Sequence, residues 1–195
     1  MEQKQPSSVK SLVFDIMIKL KDILLEGKPS SIFIPRRIED RVERLIKNYI
    51  RNGSKGDLDL SELKLTVLPD ILKDISVDGS FDCGYNNLTK LINAPKFVGG
   101  TFYCENNELT SLEGASTNVG RDFFCGTNKL TSLKGSPETV GGSFGCDNND
   151  LTSLAGAPKT VGKTVGGFFD SRYNPVRFTE KQVRAVCDVK GKVYR

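Results

Sequence analysis

From Phe81 to Leu154 the apolar positions return at a fixed long interval. Phe81, Phe102, Phe123 and Phe144 stand 21 residues apart, and Cys83, Cys104, Cys125 and Cys146 keep step two positions later. Asn86, Asn107, Asn128 and Asn149 follow in phase, then Leu88, Leu109, Leu130 and Leu151, then Leu91, Leu112, Leu133 and Leu154. Each copy reads Phe-x-Cys-x-x-Asn-x-Leu-Thr-x-Leu and runs into a turn-rich segment that ends in Val-Gly, at Val98, Val119, Val140 and Val161. A period near 20 residues predicts a solenoid, whose coils bury their apolar faces only by stacking.

Within a copy, Phe81 and Cys83 alternate with Ser80, Asp82 and Gly84. That alternation predicts a short strand with Phe and Cys inward, and stacked copies then make a parallel sheet. The Asn that follows sits where the chain turns away, so its side-chain amide is expected to satisfy backbone groups of its own and the neighbouring coil. Gly156-Ala157-Pro158 and Gly135-Ser136-Pro137 exclude a long helix from the return path, which is expected to be irregular. Leu58, Leu60, Leu63, Leu65 and Leu68 fit the template upstream, with Leu63 in place of the Asn. Phe169, Ser171, Asn174 and Val176 fit downstream, after a four-residue insertion in which Thr160-Val161-Gly162-Lys163 is echoed by Thr164-Val165-Gly166-Gly167. Six coils result, the first degenerate and the last truncated.

Outside the repeat the period shortens to that of a helix. Val9, Leu12, Val13, Ile16, Leu20, Ile23 and Leu24 predict an amphipathic helix over Ser7 to Glu26, stopped by Gly27-Lys28-Pro29-Ser30. A second helix is expected from Pro35 to Asn52-Gly53, with Ile38, Val42, Leu45, Ile46, Tyr49 and Ile50 on one face. Its other face carries Arg36, Arg37, Arg41, Arg44, Lys47 and Arg51 among Glu39, Asp40 and Glu43. Thr179-Glu180-Lys181-Gln182 opens a short helix with a capping box, placing Val183, Val186 and Cys187 inward, and Val189 to Tyr194 adds an extended segment. The expected organisation is a helical cap over 1–55, repeats over 56–178 and a second cap over 179–195.

Region 56–178 resembles the leucine-rich repeat, L-x-x-L-x-L-x-x-N-x-L, with Phe and Cys standing in for two leucines. That resemblance implies an α/β solenoid with short parallel strands, an irregular convex side and helical caps at both ends. Phe-x-Cys in the strand, Asn-x-Leu-Thr-Ser-Leu after it and Gly-Ala-Pro before Val-Gly-Gly are similar to repeat proteins encoded by large tailed bacteriophages. A helical cap followed by Asn-x-Leu-Thr-Ser-Leu repeats also resembles secreted bacterial effectors, some with a ubiquitin-ligase domain after the repeats. Only 17 residues follow Phe178, so the ligase activity is not expected here.

Composition removes most chemistry. Four of the five cysteines share one inward position, and the absence of both histidine and any C-x-x-C spacing argues for a core column over a disulfide framework or a zinc site. Gly156 to Thr164 approaches a phosphate-binding loop but has five residues between its glycines, Pro158 among them, and no helix after it. Asn87-Leu-Thr89 and Asn52-Gly-Ser54 fit a glycosylation acceptor, without a signal peptide to give them meaning. No cofactor, metal, catalytic group, small-molecule substrate or membrane span is expected, and the expected location is the cytoplasm, of the host if the chain is phage-encoded.

Charge points to a surface. The net charge is +4, yet residues 53–170 hold ten basic and fifteen acidic residues, while 171–195 hold seven and two. Outward strand positions should form three rows: Asp57, Ser80, Thr101, Asp122, Ser143 and Phe168; Asp59, Asp82, Tyr103, Phe124, Gly145 and Asp170; and Ser61, Gly84, Glu105, Gly126, Asp147 and Arg172. The sheet face is thus acidic around Tyr103 and Phe124, which Gly126 and Gly145 leave with room beside them, an arrangement suited to gripping another protein with a basic surface. The candidate contact residues are Asp59, Asp82, Tyr103, Glu105, Asp122, Phe124, Asp147 and Asp170. For a phage protein that role would be to inhibit or redirect a host defence protein. The alternatives are nucleic-acid binding through Arg36, Arg37, Arg41, Arg44 and the basic tail, or a structural place in the virion.

Overall fold

The computed structural model describes residues 36–162 and 166–195, and the helix expected over Ser7 to Glu26 lies outside them. The described residues begin with α1 (Arg36–Arg51), β1 (Leu58–Asp59) and a 3-10 turn (Asp70–Asp74). Then come β2 (Ser76–Val77), β3 (Phe81–Asp82), β4 (Phe97–Val98), β5 (Phe102–Tyr103), β6 (Asn118–Val119) and β7 (Phe123–Phe124). After these follow β8 (Thr139–Val140), β9 (Phe144–Gly145), β10 (Thr160–Val161), β11 (Phe169–Asp170), α2 (Glu180–Val186), β12 (Asp188–Val189) and β13 (Val193–Tyr194). The odd-numbered strands form one seven-stranded sheet and the even-numbered strands a six-stranded one. Every pairing is parallel, and the chain winds as a β-solenoid of about six turns.

The second sheet corrects the expectation of an irregular return path. Val77, Val98, Val119, Val140 and Val161 recur at one phase and are all buried, so the backbone beside each lies level with the next coil. Extended segments held in that register pair, because buried amides and carbonyls need partners. Three residues then carry the chain from an even strand to the following odd one, except between β10 and β11, which seven residues separate, around a corner where coils nearly touch. A Cβ added to Gly120 would lie 2.1 Å from the carbonyl oxygen of Gly99.

Phe81, Phe102, Phe123, Phe144 and Phe169 make one column in the core, with successive ring centroids 5.2–5.6 Å apart. Beside them Cys83, Cys104, Cys125 and Cys146 are fully buried, and each thiol donates to a carbonyl of the next coil at 3.2–3.4 Å. The asparagine column closes the corner as expected. Asn107 Oδ1 accepts from Leu88 N at 2.9 Å while its Nδ2 donates to Cys83 O at 3.0 Å, and Asn86, Asn128, Asn149 and Asn174 make the equivalent pair of contacts to the coil before. Leu63 stands at this position in the first coil, and its own N–H is taken by Asn86 Oδ1.

Helices meet both ends of the odd-numbered sheet. α1 packs against β1 and buries Val42, Ile46, Tyr49 and Ile50 in the common core. α2 opens on the expected capping box, with Gln182 N donating to Thr179 Oγ1 and Thr179 N to Gln182 Oε1. Val183 and Cys187 are buried, but Val186 is exposed, a correction that follows from a seven-residue helix having one narrow inward stripe. The tail supplies a strand to each sheet. Arg184 reaches back from α2 and donates to the carbonyls of Val189 at 2.6 Å and Gly191 at 2.9 Å, satisfying backbone acceptors of the last turn. Of the duplicated Val-Gly segment, Thr160-Val161 takes the strand position, pairing with Thr139-Val140 and Asp188-Val189.

Candidate functional site

The odd-numbered sheet presents the three rows, and its register fixes the middle one as Asp59, Asp82, Tyr103, Phe124, Gly145, Asp170 and Tyr194. Tyr194 is an addition the sequence reading missed. The signal was there: Val189 precedes Val193 by four residues, the interval that separates Val98 from Phe102 and Val119 from Phe123.

The first row holds the coils together. Ser80 N donates to Asp57 Oδ1 at 2.6 Å, Thr101 N to Ser80 Oγ at 3.2 Å, Ser143 N to Asp122 Oδ1 at 2.6 Å, and Phe168 N to Ser143 Oγ at 3.3 Å. Asp122 is half-buried here, its second oxygen accepting from Thr101 Oγ1 at 3.4 Å. Of the candidate carboxylates it is the one whose side chain, among the described residues, hydrogen-bonds to neighbouring coils.

Aromatic rings run across the middle of the face. Centroids are 5.7 Å apart for Tyr103 and Phe124, 6.4 Å for Phe124 and Phe168, and 5.3 Å for Phe168 and Tyr194. Gly145 does not leave the expected room beside Phe124, because the Phe124 ring lies over it; a Cβ there would meet Phe124 Cδ1 at 2.8 Å. Gly126 is likewise covered by the Asp147 carboxylate, 2.9 Å from where its Cβ would be. Tyr103 and Phe124 are half-buried.

The carboxylates divide by partner. Asp170, 6% exposed, is held by Arg172 through Nε at 3.0 Å and Nη2 at 2.7 Å, and the guanidinium carbon lies 5.1 Å from the centre of the Tyr194 ring. Asp59, exposed at the edge, accepts from Ser61 N and Oγ. Asp82, Glu105 and Asp147 are half-buried, and no ion pair among the described residues includes them. Burial pushes the Asp82 carboxyl above its ordinary range, as do the charges of Asp59 and Glu62, against the opposing hydrogen bond from the Gly84 amide. Burial also raises Glu105, helped by Asp82 and Asp147, and it raises Asp147, helped by Asp170 and opposed by Arg172. The three form a lane of negative charge beside the rings, offset in part at Asp147 by Arg172.

Elsewhere the described residues offer little chemistry. No group of three or more His, Cys, Asp or Glu among them could hold a metal ion, and none of their helices is long and apolar enough to cross a membrane. On α1, Arg41, Arg44 and Arg51 are exposed, but Lys47 pairs with Glu43 and Asp40 lies in the same polar stretch. Fold and face together define a parallel solenoid with one acidic and aromatic side. No protein-family model matches the sequence, and neither does any curated protein.

Proposed function

We propose that this chain is a non-enzymatic protein-binding module of the leucine-rich-repeat kind, which grips a basic surface of another protein on its odd-numbered sheet. In the setting suggested by its phage-like repeats, the partner is a host protein, such as a defence component that binding inhibits or redirects. The observation that carries this reading is the continuous ring row from Tyr103 to Tyr194 running beside the unpaired carboxylates of Asp82, Glu105 and Asp147. Rigid rings give contact area at small entropic cost, and half-buried anions without counter-charges gain more from an incoming cation than solvated ones do. Substituting Tyr103→Ala together with Phe124→Ala is expected to abolish capture of a partner from bacterial lysate while the circular dichroism spectrum is retained. Undiminished capture by the folded double variant would refute the face.

A further inference from the structure

Arg172 shows how this face seats a cation. It occupies the third row, its guanidinium bound by the second-row carboxylate of its own strand, Asp170, and lying against the second-row ring of the next strand, Tyr194. The backbone supports this arrangement, because Arg172 N also donates to Asp170 Oδ1 at 3.1 Å. The same three positions recur four coils earlier. Asp82 is the second-row carboxylate, Tyr103 is its ring neighbour in register, and Gly84 N donates to Asp82 Oδ1 at 2.8 Å. Only the cation is missing, since the third-row residue is Gly84. On the other described strands of this sheet the carboxylate and the ring do not coincide: Asp59 is followed by Asp82, Tyr103 by Phe124, and Phe124 by Gly145.

We infer that Asp82, Tyr103 and Glu105, around the side-chain-free position Gly84, form a seat for an arginine side chain supplied by the partner protein. The inference rests on the binding-face reading above and names the group that the face receives. Glu105 forms the far wall, its Cγ lying 3.7 Å from where a Gly84 Cβ would be and the Asp82 carboxylate 3.1 Å from it. Two carboxylates and a ring suit a guanidinium, which is planar, hydrogen-bonds through several N–H groups and stacks, better than an ammonium. A side chain at Gly84 would intrude on this space, its Cβ lying 3.1 Å from Asp82 Oδ1 and 3.3 Å from the Glu105 carbonyl oxygen, so those groups must shift slightly to admit one, as Ser61, Glu105, Asp147 and Arg172 are admitted at the equivalent positions.

The test is an NMR titration of the full chain with three short peptides that differ at one central residue: arginine, lysine or citrulline. The arginine peptide is expected to give saturable shifts centred on the Gly84 amide and the Tyr103 ring. The lysine peptide should bind roughly tenfold more weakly and the citrulline peptide not measurably. Gly84→Arg places the protein's own guanidinium in the seat and should abolish the shifts at Tyr103. Asp82→Asn, which keeps the acceptor for Gly84 N, should weaken binding by roughly tenfold with the fold intact. Equal binding of arginine and citrulline, shifts centred elsewhere, or unchanged binding by Gly84→Arg would overturn the seat. If the arginine peptide fails while partner capture still depends on Tyr103 and Phe124, the seat falls and the binding face stands. If the peptide binds at Gly84 while capture is indifferent to those rings, the face falls and the seat stands.

Discussion

Thr127 is the β-branched member of a column that the backbone holds in the left-handed region, with φ of 51° at Tyr85, 54° at Asn106, 52° at Thr127, 54° at Asn148 and 58° at Tyr173. Asparagine accepts this conformation readily and a β-branched residue does not. Thr127→Asn is therefore expected to stabilise the protein by about 1 kcal/mol in urea unfolding. The thiols permit a second prediction at this scale. Burial drives the pKa of Cys83, Cys104, Cys125 and Cys146 well above the usual thiol value and that of Cys187 up to about 12. All five should resist a thiol reagent at pH 8 in the native protein and react together on unfolding, which a mass-spectrometric count of adducts checks. These identities and their phases were legible in the chain. The left-handed turn before each asparagine was not, because Tyr, Asn and Thr share no property that marks it.

Between coils, the asparagine column does what a hydrogen-bond ladder does inside a strand. Asn107→Ala would strand Leu88 N in a dry corner and leave the Cys83 carbonyl with Asn86 Nδ2 alone, so a loss of about 2 kcal/mol is expected in denaturant melts. The acidic lane behaves oppositely. Asp82, Glu105 and Asp147 have folded-state pKa values raised above those of the unfolded chain. Their contribution is complete below the unfolded-state carboxylate pKa and is lost as pH rises through the folded one, so at neutral pH their charge works against folding. Glu105→Gln should raise the melting temperature at pH 7 and leave it unchanged near pH 3, where wild type is also protonated. An equal rise at both pH values would show that packing, not charge, is responsible. The odd-numbered sheet could be read from Phe-x-Cys alternation. The even-numbered one could not, because a two-residue strand carries no period of its own and exists only through the pairing of stacked coils.

Across the whole molecule the charge distribution separates two modes of association. A partner held on the acidic lane and its rings should be released gradually by salt, whereas a nucleic acid held by Arg41, Arg44 and the basic tail would show the steep dependence of phosphate contacts. Gel shifts at low and moderate salt are expected to show no nucleic-acid complex, and a steeply salt-dependent one would favour that alternative surface. The register of the middle row follows from spacing alone, since side-chain direction in a strand follows from the period of two, although Tyr194 extends it and Thr101, Ser143 and Asp170 of the three rows are buried. What spacing did not show was which anions the fold itself engages: Asp122 serves Ser143 N, Asp82 serves Gly84 N and Asp170 serves Arg172, while Asp82, Glu105 and Asp147 have no ion-pair partner among the described residues.

Sequence alone determined that the chain is a stack and, within the repeat, which residues face its core, because a 21-residue phase admits one inward set. The tertiary structure decided how each coil closes, through a second sheet that only neighbouring coils can complete. It also decided how the outward side chains lean, sending the Phe124 ring over Gly145 and the Asp147 carboxylate over Gly126 and bringing Asp82 and Glu105 to either side of Gly84. Those directions depend on contacts between coils, and no single coil encodes them.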